Sequence, residues 1–196
     1  MATEIELKAR IHDSGALKAL LHEKAEYSGA FEKDDTYWVF APELRMPATP
    51  VWRLRVRRET RTRPDGTSVS ATLATCKTKE MTDGIEVNDE LEFTVNPGPE
   101  FEAFLRRMGF KPGISKRKRG WDFSHGGINA ELVEVEGLGW FIELEILANG
   151  IFTNSSREQT VTEGKEKLLD FLAVLGIGRE AIESRYYTEM LADLLN

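Results

Sequence analysis

Charged side chains recur at alternate positions along short stretches of this chain, and the stretches are segregated by sign. They are Glu4, Glu6 and Lys8; Arg53, Arg55 and Arg57; Lys77 and Lys79; Glu90 and Glu92; Lys116 and Lys118; and Glu143 and Glu145. Side chains on a β-strand point alternately to its two faces, so each set shares a face while Ile5, Leu7, Leu54, Val56 and Leu144 take the other. One such stretch alone reads as an ordinary amphipathic strand with its charges in water. Repetition with segregated signs, where a solvated face would mix in Ser, Thr and Gln, predicts instead that the charged faces line the inside of a closed sheet. Acidic strands beside basic ones would then supply part of the compensation that inward charges need.

The turn signals fit this reading. A strand is expected over residues 3 to 12, followed by a helix over 14 to 25 capped by Asp13 or Ser14, with Leu17, Leu20 and Leu21 as its apolar stripe. Further strands are expected at 35 to 40, 51 to 60, 68 to 79 and 85 to 94, with a loop carrying Pro42, Pro47 and Pro50 and a turn at Pro64-Asp65-Gly66 between them. Pro99 opens a short helix that Gly109 closes, and 114 to 124, 128 to 135 and 140 to 148 read as three more strands. After Thr153 the period turns helical, with Leu168, Leu169, Leu172 and Leu175 as one stripe ended by Gly176 and Gly178, and a last helix over 179 to 194. About eight mostly antiparallel strands with outlying helices make an α+β chain. Strand count and spacing fit a closed barrel, the expected architecture, or a two-sheet sandwich, rather than a doubly wound sheet.

Composition removes several function classes. The only cysteine, Cys76, excludes an internal disulfide, and with His12, His22 and His125 as the only histidines the usual Cys/His zinc sites cannot be assembled. No apolar run approaches a membrane span and the N-terminus lacks a secretion signal, so the expected location is cytoplasmic, with no membrane partner. The net charge of -7 argues against broad nucleic-acid binding, while the arginines at 53 to 63 and the Lys-Arg-Lys-Arg run at 116 to 119 suit a small, highly charged anion. No GxxxxGK[ST] phosphate loop occurs, so a P-loop nucleotidase is not expected. Gly126-Gly127 and Gly137-Leu138-Gly139 read as turns, Cys76 as a small packed residue, and His125 as solvent-facing.

The chemistry follows from the charges. Glu4, Glu6, Glu143 and Glu145 offer hard oxygen ligands suited to Mg²⁺ or Mn²⁺. Arginine forks and lysine ammonium groups can neutralise a triphosphate chain and the charge on a transferring phosphoryl group.

Glu4-Ile5-Glu6-Leu7-Lys8 resembles the ExExK signature of the CYTH family, which contains the class IV (CyaB-like) adenylate cyclases, thiamine triphosphatases and inorganic triphosphatases. The resemblance extends through Asp35-Thr36-Tyr37-Trp38, Leu54-Arg55, Thr75-Cys76-Lys77, Met108-Gly109-Phe110, Gly137-Leu138-Gly139, Phe141-Ile142-Glu143-Leu144-Glu145 and residues 185 to 191, so it covers nearly the whole chain. It implies one triphosphate tunnel domain over 1 to 196, including C-terminal helices at 157 to 195: an eight-stranded antiparallel β-barrel holding a triphosphate and divalent metal. By the same resemblance Glu4, Glu6, Glu143 and Glu145 are the metal-holding set. Arg53, Arg55, Lys77, Lys116 or Lys118, and Arg185 face the phosphates, and Lys8, Glu6 and Arg55 are the catalytic groups. Either register of 116 to 119 is open, since a one-residue slip exchanges the inward pair.

Two positions depart from the family pattern. Val133 stands where an acidic residue commonly precedes the GLG turn, with Glu131 on the same strand face, and Asn88 stands where a basic residue is common. The functional expectation is a metal-dependent hydrolase of a triphosphate such as thiamine triphosphate, tripolyphosphate or a nucleoside triphosphate. A class IV adenylate cyclase is the alternative, and a non-catalytic binder of polyphosphate or phosphorylated RNA ends is the third reading. A monomer and a homodimer are equally compatible with the C-terminal helices.

Overall fold

The computed structural model describes residues 2–40, 53–82, 84–148 and 154–195. Its elements are β1 (Ala2–Ile11), α1 (Ser14–Lys24), β2 (Glu26–Phe40), β3 (Arg53–Thr62), β4 (Ser68–Thr82), β5 (Ile85–Thr94), α2 (Gly98–Arg107), β6 (Phe110–His125), β7 (Ile128–Val135), β8 (Gly139–Ala148), α3 (Asn154–Val174), a 3₁₀ turn (Arg179–Ala181) and α4 (Tyr187–Asp193). The strands close into one antiparallel barrel in the order β1-β5-β4-β3-β2-β6-β7-β8. Closure decides against the sandwich, and it leaves no free sheet edge to cap.

The apolar core lies outside the barrel. Alternation turns Ile5, Leu7 and Ala9 of β1, Ala130 and Leu132 of β7, and Ile142 and Leu144 of β8 outward, where they pack against Leu17 and Leu21 of α1 and Leu168, Phe171 and Leu172 of α3. A smaller cluster joins Trp38 of β2 and Val56 of β3 to Leu105 of α2. With helices taking the outward apolar faces, the inward faces are left to the charges, as the alternation in the sequence requires.

A third cluster sits inside one end of the barrel. Phe31, Val133, Val135 and Phe141, all pointing inward, meet Tyr187 and Met190 of α4. Gly120 makes this possible: it lies between Phe31 and Val133 in the sheet, and a Cβ there would run into the Leu132 carbonyl. Only glycine allows that close approach.

Three expectations need correction. The strand expected at 35 to 40 starts at Glu26, because Tyr27, Phe31 and Lys33 continue the pairing with β6 across a bulge at Tyr27/Gly29. The strand expected at 114 to 124 is likewise longer, Phe110–His125. The single last helix expected over 179 to 194 is broken: Ile182 bridges to Ala9 and the Glu183 amide donates to the Lys8 carbonyl, which holds the chain extended until α4 begins. The expected proline loop at 42 to 50 lies outside the described residues. Among the described residues no helix is long and apolar enough to cross a membrane.

Candidate active site

The barrel order sorts the inward side chains by charge. β7, β8, β1 and β5 are contiguous and contribute Glu131, Glu143, Glu145, Glu4, Glu6, Glu86, Glu90 and Glu92, with Lys8 as an embedded cation. β4, β3, β2 and β6 form the facing wall, with Lys77, Arg55, Arg57, Arg61, Lys33, Lys116 and Lys118. Between the walls lies a cavity of about 990 Å³. The register at 116 to 119 is resolved: Lys116 and Lys118 point inward and are buried, whereas Arg117 and Arg119 are exposed outside.

The two walls bond to each other at the seams where they adjoin, between β4 and β5 and between β6 and β7. Lys118 Nζ is 2.5 Å from Glu143 Oε2, and Lys77 Nζ lies 2.5 Å from Glu4 Oε2 and 2.9 Å from Glu90 Oε2. Lys33 bonds Glu131, which also has Lys118 at 3.8 Å. Within the acidic wall Lys8 pairs with Glu86 at 3.1 Å. Asp35 anchors the basic wall, accepting both arms of the Arg57 guanidinium at 2.6 and 3.0 Å with Lys116 at 3.2 Å. Burial disfavours the Asp35 carboxylate, but Arg57 and Lys116 override it and hold the group well below the usual carboxylate range.

Not every carboxylate is so served. Glu6 and Glu145 face each other in the β1–β8 pairing, and neither makes a hydrogen bond or ion pair of its own among the described residues. Burial, with Glu86, Glu4 and Glu143 close by, pushes Glu6 up to about 7; burial, with Glu4, Glu6 and Glu131, pushes Glu145 up to about 9. Glu131 goes the other way, well below its ordinary value, because Lys33 and Lys118 outweigh its burial. Glu131 Oε2 and Glu143 Oε1 are buried without a hydrogen-bond partner. Buried carboxylate oxygens without a hydrogen-bond partner are hard donors of the kind a divalent ion takes. Among the described residues, however, no three carboxylates stand together as a ready-made cation site.

The two ends of the cavity differ. At the α4 end Lys8, Glu86 and Lys116 are only 3 to 6 % exposed. At the other end the Arg61 side chain is 48 % exposed and Leu147 is 47 % exposed. The lumen is therefore deep at α4 and opens at the Arg61–Leu147 end.

A family model for the CYTH domain matches residues 2–187. The chain belongs to the CYTH family. No curated protein matches it. Among solved structures, the PH1819 protein from Pyrococcus horikoshii OT3 is 25% identical with a TM-score of 0.79, over 97% of this chain and 99% of that one. The PH1012 protein from the same organism is 28% identical with a TM-score of 0.71, over 95% and 98%. HpAC1 from Hippeastrum, a candidate adenylyl cyclase whose dominant activity is that of a triphosphatase, shares the fold at 18% identity and a TM-score of 0.61, over 98% and 94%.

Within this CYTH barrel the residues expected from the sequence take distinct places. Glu4, Glu6, Lys8, Arg55, Lys77, Lys116, Lys118, Glu143 and Glu145 all line the lumen. For Arg53 only the backbone is described, opposite Lys77 at the start of β3. Arg185 is exposed just before α4, with its guanidinium on Glu183 and near Asp193. His125 is exposed outside the barrel, 2.7 Å from the Lys24 carbonyl and stacked on Phe171. Cys76 is half-buried on a strand whose neighbours Thr75 and Lys77 line the lumen.

Both departures from the CYTH pattern have structural consequences. Val133 points inward but is fully buried in the apolar cluster beneath α4, while Glu131 two residues earlier reaches the basic wall. Asn88 is fully buried and its amide donates to Glu4 at 3.0 Å and Glu86 at 3.4 Å, so a neutral donor bridges the two carboxylates where a cation is common. Arg57 lies on the inward face that its alternation with Arg53 and Arg55 predicts, and Lys33, Glu59, Glu86 and Asp122 also line the lumen and were missed. Lys33 fell in the unrecognised first half of β2. Glu59 was legible, since it continues the parity of Arg55 and Arg57.

Proposed function

We propose that this protein hydrolyses a triphosphate substrate with the help of a divalent cation. The observation that carries the reading is a deep lumen with opposed walls of carboxylates and ammonium or guanidinium groups, shut at the lysine-rich α4 end. A triphosphate entering by the Arg61–Leu147 mouth brings its terminal phosphate to Lys8, Lys116 and Lys118, while Arg55 and Lys77 serve the phosphates behind it. Water attack on the terminal phosphorus releases phosphate and leaves the diphosphate, and the basic wall holds the charge that builds on the phosphoryl oxygens.

Glu4, Glu6, Glu143 and Glu145 would hold the cation, Mg²⁺ or Mn²⁺; the Glu143 Oε1 left without a hydrogen bond and the raised proton affinities of Glu6 and Glu145 suit that task. A bound divalent ion supplies additional charge neutralisation at the phosphate oxygens. Occupancy by both ligands requires the Lys77–Glu4 and Lys118–Glu143 pairs to part, each lysine turning to phosphate and each carboxylate to the cation.

Cyclisation of ATP is the competing reaction. It needs the ribose beside the α-phosphorus within the charged section, and a nucleoside entering last sits nearer the mouth, which favours hydrolysis. Incubating the protein with ATP or tripolyphosphate and Mg²⁺ or Mn²⁺, and separating the products, tests the reading. Orthophosphate with ADP or pyrophosphate is expected. Cyclic AMP with pyrophosphate would instead establish the cyclase, and tight triphosphate binding without turnover would establish a binder.

A further inference from the structure

Tyr187 is the first residue of α4, and its ring is buried inside the closed end of the barrel. Three ammonium groups surround it: Lys116 Nζ at 5.1 Å from the ring centroid, Lys8 Nζ at 5.5 Å and Lys118 Nζ at 5.5 Å. These lysines come from β1 and β6, which are not neighbours in the barrel, so one aromatic ring is their common contact. All three are 6 % exposed or less. The ring is itself fixed from behind by an edge-to-face contact with Phe141, centroids 5.0 Å apart, and by Met190 in the same cluster.

Three ammonium groups held close together and away from water repel one another, and burial disfavours each charge. Carboxylates relieve part of this: Glu86 takes Lys8, Asp35 takes Lys116 and Glu143 takes Lys118. An aromatic face adds attraction of a different kind. Its quadrupole stabilises a nearby cation electrostatically, by more when the pair is desolvated, without using up the N–H donors as a carboxylate does. An ammonium group has three donors, so each lysine keeps some for a ligand entering the lumen.

We propose that Tyr187 is a positioning residue of the phosphate site, its ring gathering Lys8, Lys116 and Lys118 into one cluster that receives the terminal phosphate group. The proposal rests on the reading of the lumen as a triphosphate site and adds to it a C-terminal residue outside the barrel strands. The ring, rather than the hydroxyl, carries the effect: the buried Tyr187 hydroxyl lies beside Glu143 and makes no hydrogen bond to any of the three lysines. Removing it therefore takes away no contact that the lysines themselves make.

The test compares Tyr187→Phe, which keeps the ring, with Tyr187→Leu, which removes it, and uses Leu191→Ala, on the α4 face beside Gly137 of the β7–β8 turn, as a control for disturbance of the α4 contact. Tyr187→Leu is expected to raise KM for tripolyphosphate, and the Kd measured without metal by calorimetry, by about tenfold, with kcat changed much less. Tyr187→Phe should stay within about threefold of the parent protein in both, and Leu191→Ala should lower the melting temperature without moving Kd. A second readout needs no triphosphate: NMR order parameters of the lysine ammonium groups should show Lys8, Lys116 and Lys118 held rigidly in the Phe variant and less rigidly in the Leu variant. A folded Leu variant with unchanged Kd and unchanged ammonium order parameters overturns the proposal, as does a Phe variant as impaired as Leu. If the parent protein neither binds nor turns over tripolyphosphate or ATP, the triphosphate reading fails, and the order parameters still decide whether the ring organises the cluster.

Discussion

Lys118 of the basic wall lies 2.5 Å from Glu143 of the acidic wall, so a residue suited to phosphate and a residue suited to a cation neutralise each other in the ligand-free lumen. Lys118 outweighs burial and Glu131 in setting the Glu143 carboxyl below its ordinary value, and the bond leaves Glu143 Oε1 without a partner. Each wall is thus the other's stand-in ligand. On the proposed function, a triphosphate or a cation must first part such pairs, and binding one frees the partner for the other.

Glu143→Gln separates the two roles. The neutral amide releases Lys118, so metal-free affinity for tripolyphosphate should rise, by about tenfold if the freed ammonium is worth a charged hydrogen bond. Metal-dependent turnover should fall by at least about a hundredfold, because a cation-holding carboxylate is gone. Calorimetry and a phosphate-release assay measure the two effects. Turnover equal to that of the parent protein would remove Glu143 from the cation site.

The carboxylates raised by burial predict an unusual pH dependence of stability. Glu6 is raised from 4.5 to about 7, Glu145 from 4.5 to about 9 and Asp122 from 3.8 to about 7, so the fold retains protons that the unfolded chain has released. For such groups the stabilisation is complete below the unfolded pKa and is lost as pH rises through the folded one. Glu131 and Glu143 are shifted the opposite way, and their contribution is lost only as pH falls into the acid range. The melting temperature of protein stripped with EDTA should therefore fall between about pH 6 and pH 8, and Mg²⁺ or Mn²⁺ should restore more at the upper end. A melting temperature that climbed over this interval would contradict the carboxylate cluster described here.

How far the site could be read in advance depended on strand parity. Glu4, Glu6, Lys8, Glu143 and Glu145 share uninterrupted alternation with apolar partners, so their common inward face was legible. Along 116 to 119 every residue is cationic, so hydrophobic pattern could not choose a register, and pairing of Lys118 with Val135 and of Lys33 with Lys118 decides it. Lys33 was hidden because Glu32, Lys33, Asp34 and Asp35 run without an apolar residue between them, so the alternation that marks a strand begins only at Asp35. The break in the last helix was also invisible locally: Ile182 and Glu183 stay extended because their backbones find partners on β1, a contact between residues far apart in the chain. Closure belongs to the same class, since only pairing β1 with both β5 and β8 shuts the barrel.

Val133 gives a prediction against the family pattern. Restoring acidity with Val133→Asp would not rebuild a cation ligand, because this position is fully buried among Phe31, Phe141, Tyr187 and Met190. An ionised carboxylate there displaces the apolar contacts that seat α4, and the cations over the Phe31 and Phe141 rings, Lys33 and Arg10, are already paired with Glu131 and Glu183. The expected result is a loss of about 3 kcal/mol or more in chemical denaturation, with no gain in Mn²⁺ affinity. Tighter Mn²⁺ binding with unchanged stability would show that the lumen reaches this position.

The packing of α3 on the barrel turns on Gly164, which is buried against the side chain of Ile5 on β1; a Cβ added at Gly164 would fall well inside contact distance of Ile5 Cδ1. Ile5 is fully buried and belongs to the outer core, so it has little room to yield. Gly164→Ala should gain up to about 1 kcal/mol of helix propensity and yet be destabilising, because overpacking of this kind costs about 1–3 kcal/mol. Ile5→Val removes the Cδ1 methyl that Ala would strike, and alone should cost about 0.5–1.5 kcal/mol for the lost packing. In the double variant the clash disappears and the propensity gain survives, so the two changes should be less destabilising together than the sum of each alone, with a coupling of about 1 kcal/mol. Urea denaturation of the four proteins measures that coupling. Additive effects would mean that α3 can move away from β1, and that Gly164 does not set their separation.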